Sequence, residues 1–529
     1  MAGFRKAEVP REQLTLWSMK LDDAMAADHP VRHLDFLLHR EPFAETFREW
    51  TRDYVLVEGQ PPYHPRDLTA LYLYGMLNRL RSSRQLEKSC QSHLEVIWLM
   101  SGQQPDHSTI AEFVSEHGVR LRELFRDVLQ VGIRAGLVKL AHVAVDGTKI
   151  EAEAGKQSAH SESTIDKMLA GVDEQIAALE REWAENESRE GRLWGDQTPW
   201  VAKKEGSAPQ RLARLKRQQE RLQEALAAIA RRREESPGSK AIASVTDPSS
   251  RVMPDKEGKS KPNYNAQMAT DTTAGVIVAA AVNDRAEDSG QLTAVLEEVR
   301  TNCGNLPLEA SADSGYSTGP ELEKLEQMGV SGYLPDSGQR SESPRENTPA
   351  AQAVAAAQAG ETLSEEQWAA LPKDGEGRIG KAAFRYDQDA DEYVCPMGGR
   401  LSYVRSSQDR KNWGTAIRAQ YGNCAGCATC PRAKQCCRDP VVGRTVNRDQ
   451  YEKHRERMRA RMKSEAGRER YRLRGQTVEP RFGYIKRGLG FRRFLRRGLE
   501  AVRTEWSLMC TTVNAGILLR HWSEVVKVI

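Results

Sequence analysis

The chain has 529 residues, of which 39% are hydrophobic, 29% charged and only 6% aromatic, and its mean hydropathy is −0.64. At roughly 150 residues per unit, that length predicts three or four units rather than one compact core, and the composition describes a helix-rich globular protein. The longest apolar run, near 276–282, is far shorter than the roughly 20 residues of a spanning helix, which excludes a membrane protein. No apolar core follows the few basic residues at the N-terminus, so no secretory signal is expected and the cytoplasm is the expected location.

The net charge of +4 conceals an asymmetry, because 441–529 carries 22 Lys and Arg against 9 Asp and Glu, a surplus of +13 over a body at −9. A basic block on a mildly acidic body points to a polyanion partner, most simply nucleic acid. A solvated helix face is the competing account, but the surplus persists along the whole segment with Tyr, Phe and Trp interspersed. Arg474, Arg481, Lys486, Arg487, Arg492, Arg493, Arg496 and Arg497 are the expected phosphate contacts.

Taken in chain order, residues 1–138 read as helical and suit a DNA-binding-like domain. Over 66–80, Leu68, Leu71, Tyr72, Met76 and Leu80 form one helical stripe. A second helix is expected over 83–100 and a third, N-capped near Asp106, to about 136. A helix-turn-helix and a structural bundle fit this periodicity equally.

At 139 the pattern turns to strand. Segment 139–155 opens the expected catalytic core, with a short apolar strand over 142–150 that contains Asp146. Two near-heptad helices, 164–187 and 208–235, predict an antiparallel hairpin inserted over 156–238. The core resumes over 239–336: strands near Ile242, over 264–271 and over 275–282, then a helix capped by Asp288 and Ser289. A strand to Asp313, a helix over 319–328 and a strand over 330–334 follow. Antiparallel hairpins combined with a parallel crossover predict one mixed sheet with flanking helices, an α+β or mixed α/β class. Segment 337–380 is polar and Ala-rich and reads as a mobile loop with one helix over 363–370. A small Cys-rich insertion over 381–440 and a basic helical part over 441–529 complete the chain.

Of nine cysteines, Cys90, Cys303 and Cys510 are isolated, while Cys395, Cys424, Cys427, Cys430, Cys436 and Cys437 fall within 43 residues. In a cytosolic chain such a cluster reads as metal binding rather than as disulfides. Structural zinc takes four ligands. Cys424, Cys427 and Cys430 are three candidates, and Cys395 or one of Cys436 and Cys437 is the fourth. An iron–sulfur cluster and metal-free thiols are the alternatives.

Asp146 and Asp313 each close a strand of the expected sheet, and carboxylates meeting at neighbouring strand ends need a cation between them. Glu479 is the best third acid, standing alone among Arg472, Arg474, Arg481, Lys486 and Arg487. Three such acids make a site for two divalent ions acting on a phosphodiester; a salt-bridged scaffold Glu is the alternative. Glu151, Glu153, Asp271, Glu469 and Glu500 are weaker candidates by position.

Four segments, Val145-Asp146-Gly-Thr-Lys149, Tyr264-Asn-Ala-Gln267, Ala312-Asp313-Ser-Gly-Tyr316 and the series Tyr471, Arg474, Glu479 and Lys486, resemble the DDE transposases of bacterial insertion sequences. The subgroup is the one whose catalytic Glu lies in a Tyr-Arg-Glu-Lys signature. Residues 105–109 and their helices resemble the N-terminal domain of those enzymes. The likeness spans nearly the whole chain except 164–235 and 337–380. It implies a ribonuclease H-like core in which Asp146, Asp313 and Glu479 bind two magnesium ions, with manganese as a substitute. It further implies that Tyr471, Arg474 and Lys486 contact element-end DNA, and that a nucleoid-associated homodimer or higher oligomer cuts element ends and joins them to target DNA. One departure is that four residues separate Arg474 from Glu479 where the signature has three, which makes Arg472 a possible substitute. A nuclease without strand transfer and an inactive, domesticated DNA-binding protein are the rival readings.

Overall fold

The computed structural model describes residues 20–52, 54, 61–194, 208–235, 241–254, 258–336, 348–411 and 413–529. At its centre lies a six-stranded sheet of β1 (His142–Glu151), β2 (Arg251–Pro254), β3 (Ser260–Asp271), β4 (Ile277–Asn283), β5 (Glu309–Ser311) and β6 (Ser331–Tyr333). The order is β2-β3-β1-β5-β6, with β4 also paired to β3. β1 runs antiparallel to β3, from Val143 opposite Asp271 to Glu151 opposite Asn263. β1, β5 and β6 run parallel, and the helices Leu292–Cys303 and Gly319–Gln327 make the crossovers. β1 and β3 are buried along most of their length, so neither shows the polar–apolar alternation of a half-exposed strand.

The helix Leu499–Arg520 seals one face of this sheet. Trp506 Nε1 donates to the Gln267 carbonyl at 3.2 Å. Asn514 satisfies both backbone groups of Ile277 at 2.8 Å each, where the β3–β4 ladder slips in register. The same helix packs against the N-terminal helices, so Leu34, Leu71, Val145, Met268, Trp506 and Leu518 belong to one continuous core. Gly118 permits this approach: a Cβ there would meet Thr504 Oγ1 at 2.9 Å. Arg81 and Glu505 form a buried ion pair at 3.0 Å across the same junction.

Among the described residues, seven helices lie between Pro30 and Arg134. The expected helices over 83–100 and 106–136 are each divided at a histidine. His93 is extended (φ −108°, ψ 116°) and separates Ser83–Ser92 from Leu94–Leu99. His117 separates His107–Glu116 from Gly118–Arg134. Asp106 caps as its residue type predicts, accepting from the Ser108 and Thr109 N–H groups at 2.8 and 3.0 Å.

The helices Glu162–Trp194 and Ala208–Glu235 close a separate core around Val172, Ile176, Leu222 and Ile229. Arg232 anchors its base by donating to the Ile242, Pro248 and Ser250 carbonyls.

The mobile loop expected over 337–380 is corrected for its described part. Residues 348–380 carry two helices, Pro349–Ala359 and Glu365–Ala370. Ala353, Ala357 and Trp368 pack with Phe384, Tyr393, Leu401, Tyr421 and Val446 in a third core. Small alanines let the first helix lie close, which a polar-loop reading overlooks. Residues 337–347 lie outside the described residues. The third core is completed by a sheet of β7 (Arg385–Asp387), β8 (Glu392–Val394), β9 (Arg400–Lys411), β10 (Gly414–Asn423) and β11 (Arg444–Asp449), in the order β11-β10-β9-β8-β7. The Cys-rich unit therefore begins before 381 and continues past 440. Among the described residues, no helix is long and apolar enough to cross a membrane.

Candidate active site

Ala144 pairs with Ser311 in the parallel β1–β5 ladder, so two residues further along each chain Asp146 and Asp313 come side by side. Asp146 does not close its strand as expected; β1 continues to Glu151. Asp313 lies two residues beyond β5, where its Oδ1 caps the turn Ser314–Tyr316 by accepting from the Gly315 N–H at 2.8 Å. Asp146 Oδ1 accepts from the Gly147 N–H at 2.9 Å. A Cβ at residue 147 would lie 2.4 Å from Gln267 Nε2 and 2.8 Å from Asp288 Oδ1, so any larger residue there would displace those two side chains.

The helix Glu465–Gly483 crosses β1 and carries Tyr471, Arg474 and Glu479 to the two aspartates. Arg474 then joins all three acids. Its Nη2 lies 3.1 Å from Asp146 and 3.7 Å from Asp313, and its Nη1 donates to Glu479 at 2.9 Å. The irregular spacing from Arg474 to Glu479 is thus accommodated by Arg474 itself, and Arg472 remains exposed. The helix contains Pro480 and passes into a π turn, Tyr484–Gly488, a local irregularity common at functional sites. Burial raises the Asp146 carboxyl above the ordinary range, with Asp313 adding to the rise while Arg474 and the Gly147 N–H oppose it. Burial also works against the Arg474 charge, but Asp146, Tyr471 and Asp313 outweigh it and raise the guanidinium's pKa. Burial raises the neighbouring Tyr471 hydroxyl as well.

Sequence reasoning missed the second layer of this site. Asp288 was expected to cap a helix, but that helix starts at Leu292 with Gln291 at its N-cap. Asp288 Oδ1 instead accepts from Asn265 Nδ2 and Gln267 Nε2, each at 2.7 Å, and stands 3.9 Å from Lys149 Nζ. Gln267 also accepts from the buried Tyr316 hydroxyl, which locks β3 to the turn behind Asp313. Burial depresses the Lys149 ammonium, while Asp288 and Asp313 oppose that shift. The available signal was Asn263, Asn265 and Gln267 at alternate positions of β3, and hence on one face, with Tyr264, Ala266 and Met268 on the other.

The expected basic contacts divide. Lys486 Nζ donates to Thr148 Oγ1 at 2.6 Å and the Lys149 carbonyl at 2.9 Å, next to the acids. Arg487 and Arg492 are exposed. Arg481 faces the β3–β4 turn, donating to the Gly275 and Ala274 carbonyls at 2.8 and 3.1 Å, and burial lowers its pKa. Arg493 pairs with Glu151 at 3.2 Å, Arg496 donates to Ser115 and the Ala111 carbonyl, and Arg497 donates to the Glu153 carbonyl. Summed charge overlooks these fixed roles. Among the weaker acid candidates, Asp271 is fully buried and accepts from the Leu140 and Thr273 N–H groups, and Glu500 pairs with Arg122 and Arg503.

Far along the chain, Cys395, Cys427, Cys430, Cys436 and Cys437 line a cavity of about 260 Å³. The side chain of Cys424 lies outside the described residues. Backbone N–H groups reach three of the sulfurs: Gly399 to Cys395 at 3.2 Å, Arg432 to Cys430 at 3.4 Å and Arg444 to Cys427 at 3.4 Å. Burial pushes the Cys436 thiol up to about 11 and Cys437 up to about 12. Among the described residues, no three His, Cys, Asp or Glu side chains stand close enough to hold one metal ion as placed. At the acid site this accords with the guanidinium lying between the carboxylates.

Comparison with known families gives three matches in chain order. Residues 19–116 match a transposase domain family (DUF772), and 210–351 and 394–518 match two families each described as a transposase DDE domain. Asp313 lies in one DDE match and Glu479 in the other, and Asp146 lies between matched spans. The second DDE match also includes the Cys-rich sheet from Val394 onward. No curated protein and no solved structure matches the chain.

Proposed function

We propose a two-metal mechanism of strand cleavage and transfer for this chain, which belongs to the DDE transposases, enzymes that cleave and transfer DNA. The observation that carries the proposal is the convergence of Asp146, Asp313 and Glu479, from three separate segments, on one guanidinium. A cation already stands where cations would be needed, so the donor set fits divalent metal. The six-stranded sheet, in which β3 runs opposite to the other five strands, and the helix bearing Glu479 support a ribonuclease H-like reading of this core.

Asp146, Asp313 and Glu479 would hold two magnesium or manganese ions. Bound there, such ions activate a water or 3′-hydroxyl and stabilise the leaving oxygen of a phosphodiester. Asn265 and Gln267 fix Asp288, and through Gln267 and Tyr316 they hold the turn behind Asp313. Lys486 fastens the end of the catalytic helix to β1. Tyr471 and Arg474 on that helix, with Arg487 and Arg492 beyond it, face the DNA backbone. Pairing two element ends requires a dimer or higher assembly on the DNA, which places the protein with the nucleoid.

The Cys-rich unit supports a structural zinc. Five thiols line one cavity, and N–H groups point at Cys395, Cys427 and Cys430, as donors do around metal-bound sulfur. The principal test is joining of labelled element ends to a plasmid in magnesium. Joined products support the transposase mechanism; cutting without joining leaves a nuclease, and binding without cutting leaves an inactive DNA-binding protein.

A further inference from the structure

We propose that Arg474 is the internal counter-ion of the acid site and couples DNA engagement to metal uptake. The guanidinium leaves the carboxylates for a backbone phosphate, and the carboxylates are then open to divalent ions. The inference rests on the reading of Asp146, Asp313 and Glu479 as metal ligands.

Three features of the site support it. First, one side chain engages all three acids, two through Nη2 and one through Nη1. The Asp146 and Glu479 oxygens, 3.1 and 2.9 Å from the guanidinium, are contested for by an ion that ligates at about 2.1 Å, and a divalent ion beside a guanidinium meets like charge. Second, arginine does not lose its proton in proteins, so the acids are released by movement rather than by titration. Third, the guanidinium has both a route out and a reason to take it. Asp313 and Glu479 are 37% and 53% exposed, so the pocket is open on their side. The buried Nε of Arg474 has no hydrogen-bond partner here, whereas a phosphate offers the paired acceptors a guanidinium fork fits.

Phosphate and metal therefore bind cooperatively, each relieving the conflict that opposes the other. The acids stay neutralised until DNA is held.

The test is a Mn²⁺ titration of the full chain, with free Mn²⁺ read by electron paramagnetic resonance, with and without a mixed-sequence DNA duplex. Wild-type protein is expected to bind Mn²⁺ about tenfold more tightly with duplex than without, a coupling of ordinary allosteric size. Arg474→Gln is expected to bind Mn²⁺ tightly without DNA and to gain less than twofold from duplex. Arg474→Lys keeps the charge but not the fork and is expected to fall between them, which holds the test open should the Gln variant fold poorly. A Gln variant that keeps the wild-type gain from duplex, or that binds Mn²⁺ no better than wild type alone, overturns the proposal. Asp146→Asn separates the two readings: if it leaves Mn²⁺ binding unchanged in every arm, the ligand assignment itself has failed, whatever Arg474 does.

Discussion

Asp146, Asp313 and Glu479 come from segments far apart in the chain and meet only because the sheet and a late helix bring them together, with a cation placed among them. The thiols of the Cys-rich unit come from one stretch and line a shared cavity. Like charges brought into contact must be neutralised by their surroundings, and the fold supplies Arg474 and Lys149 for that purpose. The sulfurs gather within one local unit, and burial raises the pKa values of Cys395, Cys436 and Cys437. The acid cluster thus depends on global topology and the thiol cluster on a local unit.

That contrast is broken most sharply at the acids. Asp146→Asn, Asp313→Asn and Glu479→Gln are each expected to lower strand cleavage by about a thousandfold or more while leaving folding and DNA binding in place. Cleavage within tenfold of wild type in magnesium would remove that residue from the site. Next in size is a buried pair outside the site, Arg81 and Glu505, where Glu505 also accepts from the Leu495 and Arg496 N–H groups. Arg81→Met leaves a buried carboxylate unpaired and is expected to cost about 3–5 kcal/mol in chemical denaturation. A loss under 1 kcal/mol would mean that charge pairing across that junction matters little.

The thiol side is sharpened by elemental analysis of reduced protein, with about one zinc per chain expected. Cys427→Ser with Cys430→Ser should lower the melting midpoint of the Cys-rich unit by about 5 °C or more. The aspartate variants should leave that midpoint unchanged; a shift there would show that the two clusters are not independent. The smallest effect belongs to the surface cations. Arg492→Ala with Arg493→Ala is expected to flatten the log–log salt dependence of DNA binding by about one unit rather than two, because Arg493 is engaged by Glu151. A full two-unit change would show that Glu151 releases Arg493 to the DNA.

Much of this was legible in the sequence because it is local. The strand around Asp146, the helix cap at Asp106 and the two long helices of the hairpin follow from periodicity and residue type. What escaped depends on tertiary placement. Asp288 beside Ser289 looks like a cap, and only the approach of Asn265 and Gln267 from β3 turns it toward the acids. Arg481, Arg496 and Arg497 look like part of a basic surface until carbonyl partners from other elements appear. The helix at Pro349–Ala359 was missed because a run of alanines has no amphipathic stripe, although its small side chains suit close packing. His93 interrupts a helix without the glycine or proline that usually marks a break, whereas His117 is followed by Gly118.

The helix Leu499–Arg520 has a consequence for truncation. It covers the sheet and satisfies both backbone groups of Ile277 through Asn514. It follows Glu479 along the chain, so a fragment cut between the two would keep Asp146, Asp313 and Glu479 and lose the cover of β3 and β4. Such a fragment would carry the full set of acids on an open core.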